Sequence, residues 1–152
     1  MVYLTRRYRF SAAHRLHSEA LSVAENQSVY GKCNNPYGHG HNYVLEVTVA
    51  GRVNQATGMV MDLGILDGVV QREILDRFAY SYLNQDREFC TGQVPTTENL
   101  CKTIFNILRP RLKSERAAGQ VHLWRVRMEE TTSNFFECYR EGEATKMEKR
   151  FL

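Results

Sequence analysis

Residues 38–51 read Gly38-His39-Gly40-His41-Asn42-Tyr43-Val44-Leu45-Glu46-Val47-Thr48-Val49-Ala50-Gly51, the clearest local pattern in the chain. From Asn42 to Gly51, Tyr43, Leu45, Val47 and Val49 alternate with Val44, Glu46 and Thr48, the period of two that a strand requires. The stretch opens on His39 and His41. In a strand both imidazoles leave the backbone on the same side, about 6.6–7 Å apart, and can converge on one metal ion. Gly38 and Gly40 add no side chains to crowd that approach.

Upstream, Tyr3 to Phe10 reads as a strand with Tyr8 and Phe10 on one face. Downstream, Asn54-Gln55-Ala56-Thr57-Gly58 is turn chemistry. Asp62 is placed to cap a helix whose apolar stripe is Leu63, Leu66, Val70, Ile74 and Phe78. A second helix opens at Thr96-Thr97-Glu98 behind Pro95, with Leu100, Ile104, Ile107 and Leu108 as its stripe and Pro110 marking its last turn. Two more strands, Val121 to Glu130 and Asn134 to Arg140, are joined at Thr131-Thr132-Ser133. Strand pairs around a helical insert predict an α+β fold: an antiparallel four-stranded sheet with two helices on one face. With no repeat or linker, residues 1–152 read as a single domain. So small a sheet leaves two open edges, and oligomerisation through them is the expected remedy.

Composition narrows the function. Hydrophobic residues are 43% and charged residues 24%, which fits a folded globular chain and excludes a disordered one. No apolar run reaches the ~18–20 residues of a membrane span, and the first residues lack a signal-type stretch. The net charge is +3 and the basic residues are dispersed, with Arg6/Arg7, Arg109/Arg111/Lys113 and Arg125/Arg127 their densest groups, so nucleic acid is not indicated. Cys33, Cys90, Cys101 and Cys138 form no CxxC pair, which predicts reduced thiols in a cytoplasmic protein. Cys101 and Cys138 fall in helix and strand patterns as small hydrophobes.

A third histidine can join the pair. His14 follows the first strand in Phe10-Ser11-Ala12-Ala13-His14-Arg15-Leu16, and adjacent strands bring their ends together. Three neutral imidazoles with an open fourth position make a catalytic zinc site, whereas structural zinc takes four protein ligands. His17 is either a substitute ligand or a loop-surface residue, and His122 reads as a packed strand histidine. Cys33, beside Lys32 in the loop before His39, has reason to titrate below the free thiol value of ~8.5 and to move protons next to a metal-bound oxygen. Glu130 shares strand parity with Trp124, Val126 and Met128, so its carboxylate is predicted to leave an apolar face and to accept two N–H bonds from a guanidine-like edge.

These blocks resemble 6-pyruvoyltetrahydropterin synthases. The resemblance runs through residues 10–16, Gly31 to Tyr43, residues 57–63, Pro95-Thr96-Thr97-Glu98-Asn99-Leu100 and Glu130-Thr131-Thr132-Ser133-Asn134, in the family's order. It implies the tunnelling fold, in which trimeric rings close their sheets into a barrel and two rings stack as a homohexamer. It implies Zn²⁺ on His14, His39 and His41, and a reaction on dihydroneopterin triphosphate that eliminates triphosphate and forms 6-pyruvoyltetrahydropterin. Cys33 matches the family's proton-moving residue, Glu130 its pterin anchor, and Thr96, Thr97 and Glu98 positions near the same pocket. Helix capping and first-turn charge account equally for Thr97 and Glu98.

One departure bears on activity. Where the family carries an Asp-His pair, this chain has Ala79 and Tyr80 in Phe78-Ala79-Tyr80-Ser81-Tyr82-Leu83-Asn84. Alanine cannot relay a proton, and tyrosine, with a free pKa near ~10, relays poorly at neutral pH. Ile65 and Gly68 also depart from a polar family pattern, and an exposed Ile65 beside Ala79, Tyr80 and Tyr82 would form a contact patch. Three readings follow: a pyruvoyl-forming lyase of reduced activity, a 6-carboxytetrahydropterin synthase, or a catalytically inactive zinc- and pterin-binding scaffold.

Overall fold

The computed structural model describes residues 1–114 and 121–140. Four strands form one sheet in the order β1-β2-β3-β4, every neighbouring pair antiparallel: β1 (Val2–His14), β2 (His39–Gly51), β3 (His122–Thr131) and β4 (Asn134–Tyr139). The predicted α+β class and antiparallel four-stranded sheet are what the chain forms.

Both of the first two strands run further than their alternation suggests. The β1–β2 ladder continues to the pair His14↔His39, so Ser11-Ala12-Ala13-His14 belongs to the strand rather than to the loop after it. The small residues hide the period there; Ala12 is nonetheless buried beside Phe10.

The core lies between one sheet face and the helices. Tyr43, Leu45, Val47 and Val49 of β2 meet Leu123, Val126 and Met128 of β3. Above them pack α2 (Leu63–Val70) and α4 (Thr97–Ser114), through Leu66, Val70, Leu100, Ile104 and Leu108. Leu63 departs from the expected stripe: it is exposed, because it sits in the first turn under the Asp62 cap. Beyond α2 the helix passes through a π-turn (Gln71–Leu75) to a last turn, α3 (Asp76–Phe78), which still buries Ile74 and Phe78.

Three further corrections have local causes. An unpredicted helix, α1 (Val23–Tyr30), follows β1. It has no apolar stripe, since Val23 and Val29 are exposed; a Ser22/Glu25 capping box starts it. Buried Asn26 then ties it down, donating to the carbonyls of Ser18, Leu21 and Ser22. Pro110 does not mark the end of α4, which continues to Ser114. Trp124 leaves the parity of Val126 because the β2–β3 register shifts between Thr48 and Val49; its ring meets Tyr3 at 4.9 Å instead.

Candidate metal centre

The register of β1 and β2 builds the site. Because His14 pairs with His39, and Ala12 with His41, three imidazoles leave the same end of the core face. Their ligand nitrogens all lie within 4.8 Å of one another. His14 Nε2 and His39 Nε2 are 3.0 Å apart. Two ligands on a tetrahedral zinc, each at about 2.0–2.1 Å, would stand roughly 3.3 Å apart, close to the His14–His39 separation.

Each ring is prepared differently. His14 is 1% exposed, and its Nδ1–H donates to Pro95 O at 2.8 Å. That bond fixes the tautomer and turns the Nε2 lone pair into the cluster, the usual arrangement behind a metal-binding histidine. Burial, opposed by the Pro95 bond and reinforced by the other two imidazoles, pushes His14 down to about 4. Burial and His41 also lower His39. Buried His39 Nδ1 and His41 Nε2 have no hydrogen-bond partner. His14 and His39 with lowered pKa values, three ring nitrogens converging and two polar atoms unpartnered fit a divalent cation, and three protein ligands leave a coordination position open.

Glu130 lies against this cluster. Its Oε1 is 3.6 Å from His41 Nε2 and 4.0 Å from His14 Nε2. Thr97 Oγ1 donates to Oε1 and Asn134 Nδ2 to Oε2. Burial alone would raise the carboxyl, but those two hydrogen bonds and the neighbouring histidines hold it below its ordinary range. A carboxylate offers about four lone-pair sites, so two remain for a ligand.

The three residues at the start of α4 separate. Thr96, not Thr97, is the cap, its Oγ1 accepting from Asn99 N–H. Thr97 is 2% exposed and faces Glu130. Glu98 is exposed and faces the groove between α4 and β4 with Phe135 and Cys138, away from the histidines.

Cys33 is half-buried in the 3₁₀ turn Gly31–Asn34. Its carbonyl accepts from Leu16 N–H at 2.9 Å, which tethers the turn two residues beyond His14. Gly38, at φ 72°, cannot carry a side chain: a Cβ would stand 2.9 Å from His14 O and 2.9 Å from the Tyr82 ring. The loop from Cys33 to His39 therefore depends on that glycine.

Ala79 and Tyr80 sit at the outer edge of β1. Tyr80 N–H donates to Ser11 O at 2.6 Å, and Ala13 N–H to Ser81 O at 2.9 Å. Tyr80 has φ 57°, and its side chain is 93% exposed. The contact patch with Ile65 does not form, because Ile65 and Ala79 pack against the core and Tyr80 projects alone. His17 is not in the cluster; its Nδ1 accepts from Asn34 Nδ2.

Tyr43 was not singled out by its sequence. It is 1% exposed, its ring lies 5.5 Å from that of His41, and its hydroxyl has no hydrogen-bond partner. Burial raises its pKa, so it stays a neutral phenol under the site. Its two-residue offset from His41 in β2 was the available signal.

Residues 3–141 match the family model for 6-pyruvoyl tetrahydropterin synthase. The chain is 42% identical over 134 residues to the 6-pyruvoyl tetrahydrobiopterin synthase of Drosophila melanogaster, covering 88% of this chain and 77% of that protein. The solved structure of the Caenorhabditis elegans 6-pyruvoyl tetrahydropterin synthase superposes with a TM-score of 0.82 at 41% identity, over 92% of this chain and 96% of that one. A 6-carboxy-5,6,7,8-tetrahydropterin synthase of Rickettsia conorii is 32% identical over 127 residues, covering 74% of this chain and 83% of that protein.

Proposed function

The chain belongs to the 6-pyruvoyl tetrahydropterin synthase family, and on that premise we propose that it is a zinc-dependent lyase that converts dihydroneopterin triphosphate to 6-pyruvoyltetrahydropterin with elimination of triphosphate. The observation that carries the zinc is the convergence of the ligand nitrogens of His14, His39 and His41, all within 4.8 Å of one another. Zinc held there supplies Lewis acidity toward the side-chain oxygens of the substrate.

The chain's own residues do the rest. Glu130 binds the pterin through its remaining lone pairs, held in place by Thr97 and Asn134. Thr96 and Glu98 stand at the rim of this reading, the first as a helix cap and the second on the neighbouring groove. Cys33 takes a proton from carbon on the substrate side chain and returns one at the adjacent carbon. Ala79 offers no group to assist it, and Tyr80 offers a phenol, so turnover is reduced relative to a chain with the Asp-His pair.

The higher identity to a pyruvoyl-forming relative, 42% against 32%, favours the pyruvoyl product over the carboxy product. Among the described residues, the outer edge of β1 is hydrogen-bonded only at Ser11 and Ala13, and no strand lies beyond β4 on the other side of the sheet. Edge-to-edge joining into a trimeric ring, doubled to a homohexamer, would cover both. No helix among the described residues is long and apolar enough to cross a membrane. Buried Cys101, a thiol bonded to strand carbonyls, suits the reducing cytoplasm in which we place the protein.

The test is a product assay of the purified, zinc-loaded chain with dihydroneopterin triphosphate. Triphosphate release with a pyruvoyl product is the expected result, and a carboxy product would move the chain to the second branch. Saturable pterin binding with no release would replace the lyase by the binding-scaffold reading.

A further inference from the structure

At the far end of the sheet from the histidines lies a second hollow, about 590 Å³. Arg109 and Lys113 of α4, His122 at the start of β3 and Arg140 just beyond β4 line it, over Val121 and Leu123. His122 and Glu130 are eight positions apart in β3, or about 27 Å of extended chain. The two sites of one chain are therefore distinct.

These cations differ from the arginines that pair with carboxylates elsewhere in the fold. Arg6, Arg77, Arg125 and Arg127 each stand within 3.2 Å of a carboxylate oxygen. Among the described residues, no carboxylate lines this hollow, and none lies at ion-pair distance from Arg109, Lys113 or Arg140. Arg109 and Lys113 are one helical turn apart, where like charges repel. Arg140 is brought to the same place by its backbone N–H, which donates to Trp124 O at 3.3 Å. The end of α4 has a partial negative charge that two of these cations serve. Arg140 and His122 come from the sheet and have no helix end to serve. Three cations from two elements, converging on a concave surface without a counter-charge among the described residues, have the geometry of an anion site.

We propose that this hollow binds a polyphosphate anion. Several cations around one cavity match a chain of phosphates better than a single carboxylate. Inorganic triphosphate and the triphosphate of a nucleotide share that chemistry. Apart from the His122 imidazole, the described lining residues offer no aromatic ring for a base to stack on, so the phosphates carry the recognition. The proposal does not depend on the reading of the histidine cluster.

The experiment is calorimetric titration of the full-length protein with inorganic triphosphate at low ionic strength, in wild type and in a His41→Ala background that removes binding at the cluster. Saturable binding is expected in both. Arg109→Gln and Arg140→Gln are each expected to weaken it about tenfold, as loss of one charge-assisted hydrogen bond does. Lys113→Gln provides a third, milder variant, and Arg9→Gln, on the open sheet face, should leave the affinity unchanged. Equal affinity for adenosine triphosphate and inorganic triphosphate would uphold recognition through phosphate alone. Unchanged affinity in Arg109→Gln and Arg140→Gln, loss of binding in the His41→Ala background, an equal loss in Arg9→Gln, or markedly tighter nucleotide binding would overturn it.

Discussion

His14 Nδ1 donates to Pro95 O at 2.8 Å, across 81 positions of sequence. A backbone carbonyl just before α4 thus aims a β1 imidazole at its two β2 partners. His14→Ala, His39→Ala and His41→Ala should each sharply lower bound zinc, measured by elemental analysis of protein purified with the metal. Unchanged metal content in all three would remove the site assignment.

Cys33 stands outside the cluster of three histidines, so its removal separates chemistry from metal binding. Cys33→Ala should retain zinc and pterin while kcat drops about 10²–10⁴-fold, the usual worth of a positioned acid/base group. Loss of zinc along with activity would instead make Cys33 a ligand or a support for one.

How far the sequence reached can be judged from these residues. His39 and His41 were legible because strand period alone puts them on one side, and His14 because adjacent strands align their ends. Glu130 was legible as a carboxylate on the core face, but not as a neighbour of the histidines, since its place follows from the long-range pairing Val44↔Glu129, which the local pattern does not encode. The helix α1 was missed because its stability comes from Asn26 side-chain bonds rather than from an apolar stripe. The cap fell to Thr96 rather than Thr97 because buried Thr97 is claimed by Glu130, a contact 33 positions away that local propensity does not encode.

The altered pair is open to repair. Ala79 packs against the core and Tyr80 follows it at the β1 edge. The double substitution Ala79→Asp, Tyr80→His should raise kcat by at least about tenfold if the missing relay limits turnover, with zinc content unchanged. An unchanged rate would mean that Cys33 works without that pair.

Tyr80 also has a conformational cost. A non-glycine residue at φ 57° is held about 1–2 kcal/mol above its ordinary backbone state, and asparagine tolerates that region better. The ring is 93% exposed, so removing it loses little packing within the chain. Tyr80→Asn should raise stability to denaturant by about 0.5–1 kcal/mol. A loss of stability accompanied by a smaller mass in light scattering would instead place the ring in a subunit contact.

Arg77 and Asp86 join α3 to the segment before Pro95. Arg77 Nε and Nη2 donate to both Asp86 oxygens, at 2.8 and 2.6 Å, with side chains 17% and 12% exposed. Burial pushes the Asp86 carboxyl up, but the Arg77 bonds, the Glu88 N–H and the arginine charge outweigh it and leave it below its ordinary 3.8. The native state therefore binds this proton less readily than the unfolded chain. The stabilisation is complete above pH ~4 and is lost as pH falls through the lower native value. Arg77→Gln should cost about 1–3 kcal/mol at neutral pH, because it leaves a mostly buried carboxylate without its cation. The gap between wild type and variant in urea unfolding should then shrink steadily from about pH 4 downward. A gap that stays constant to pH ~2 would show that the arginine acts by packing its stem rather than by holding the Asp86 charge.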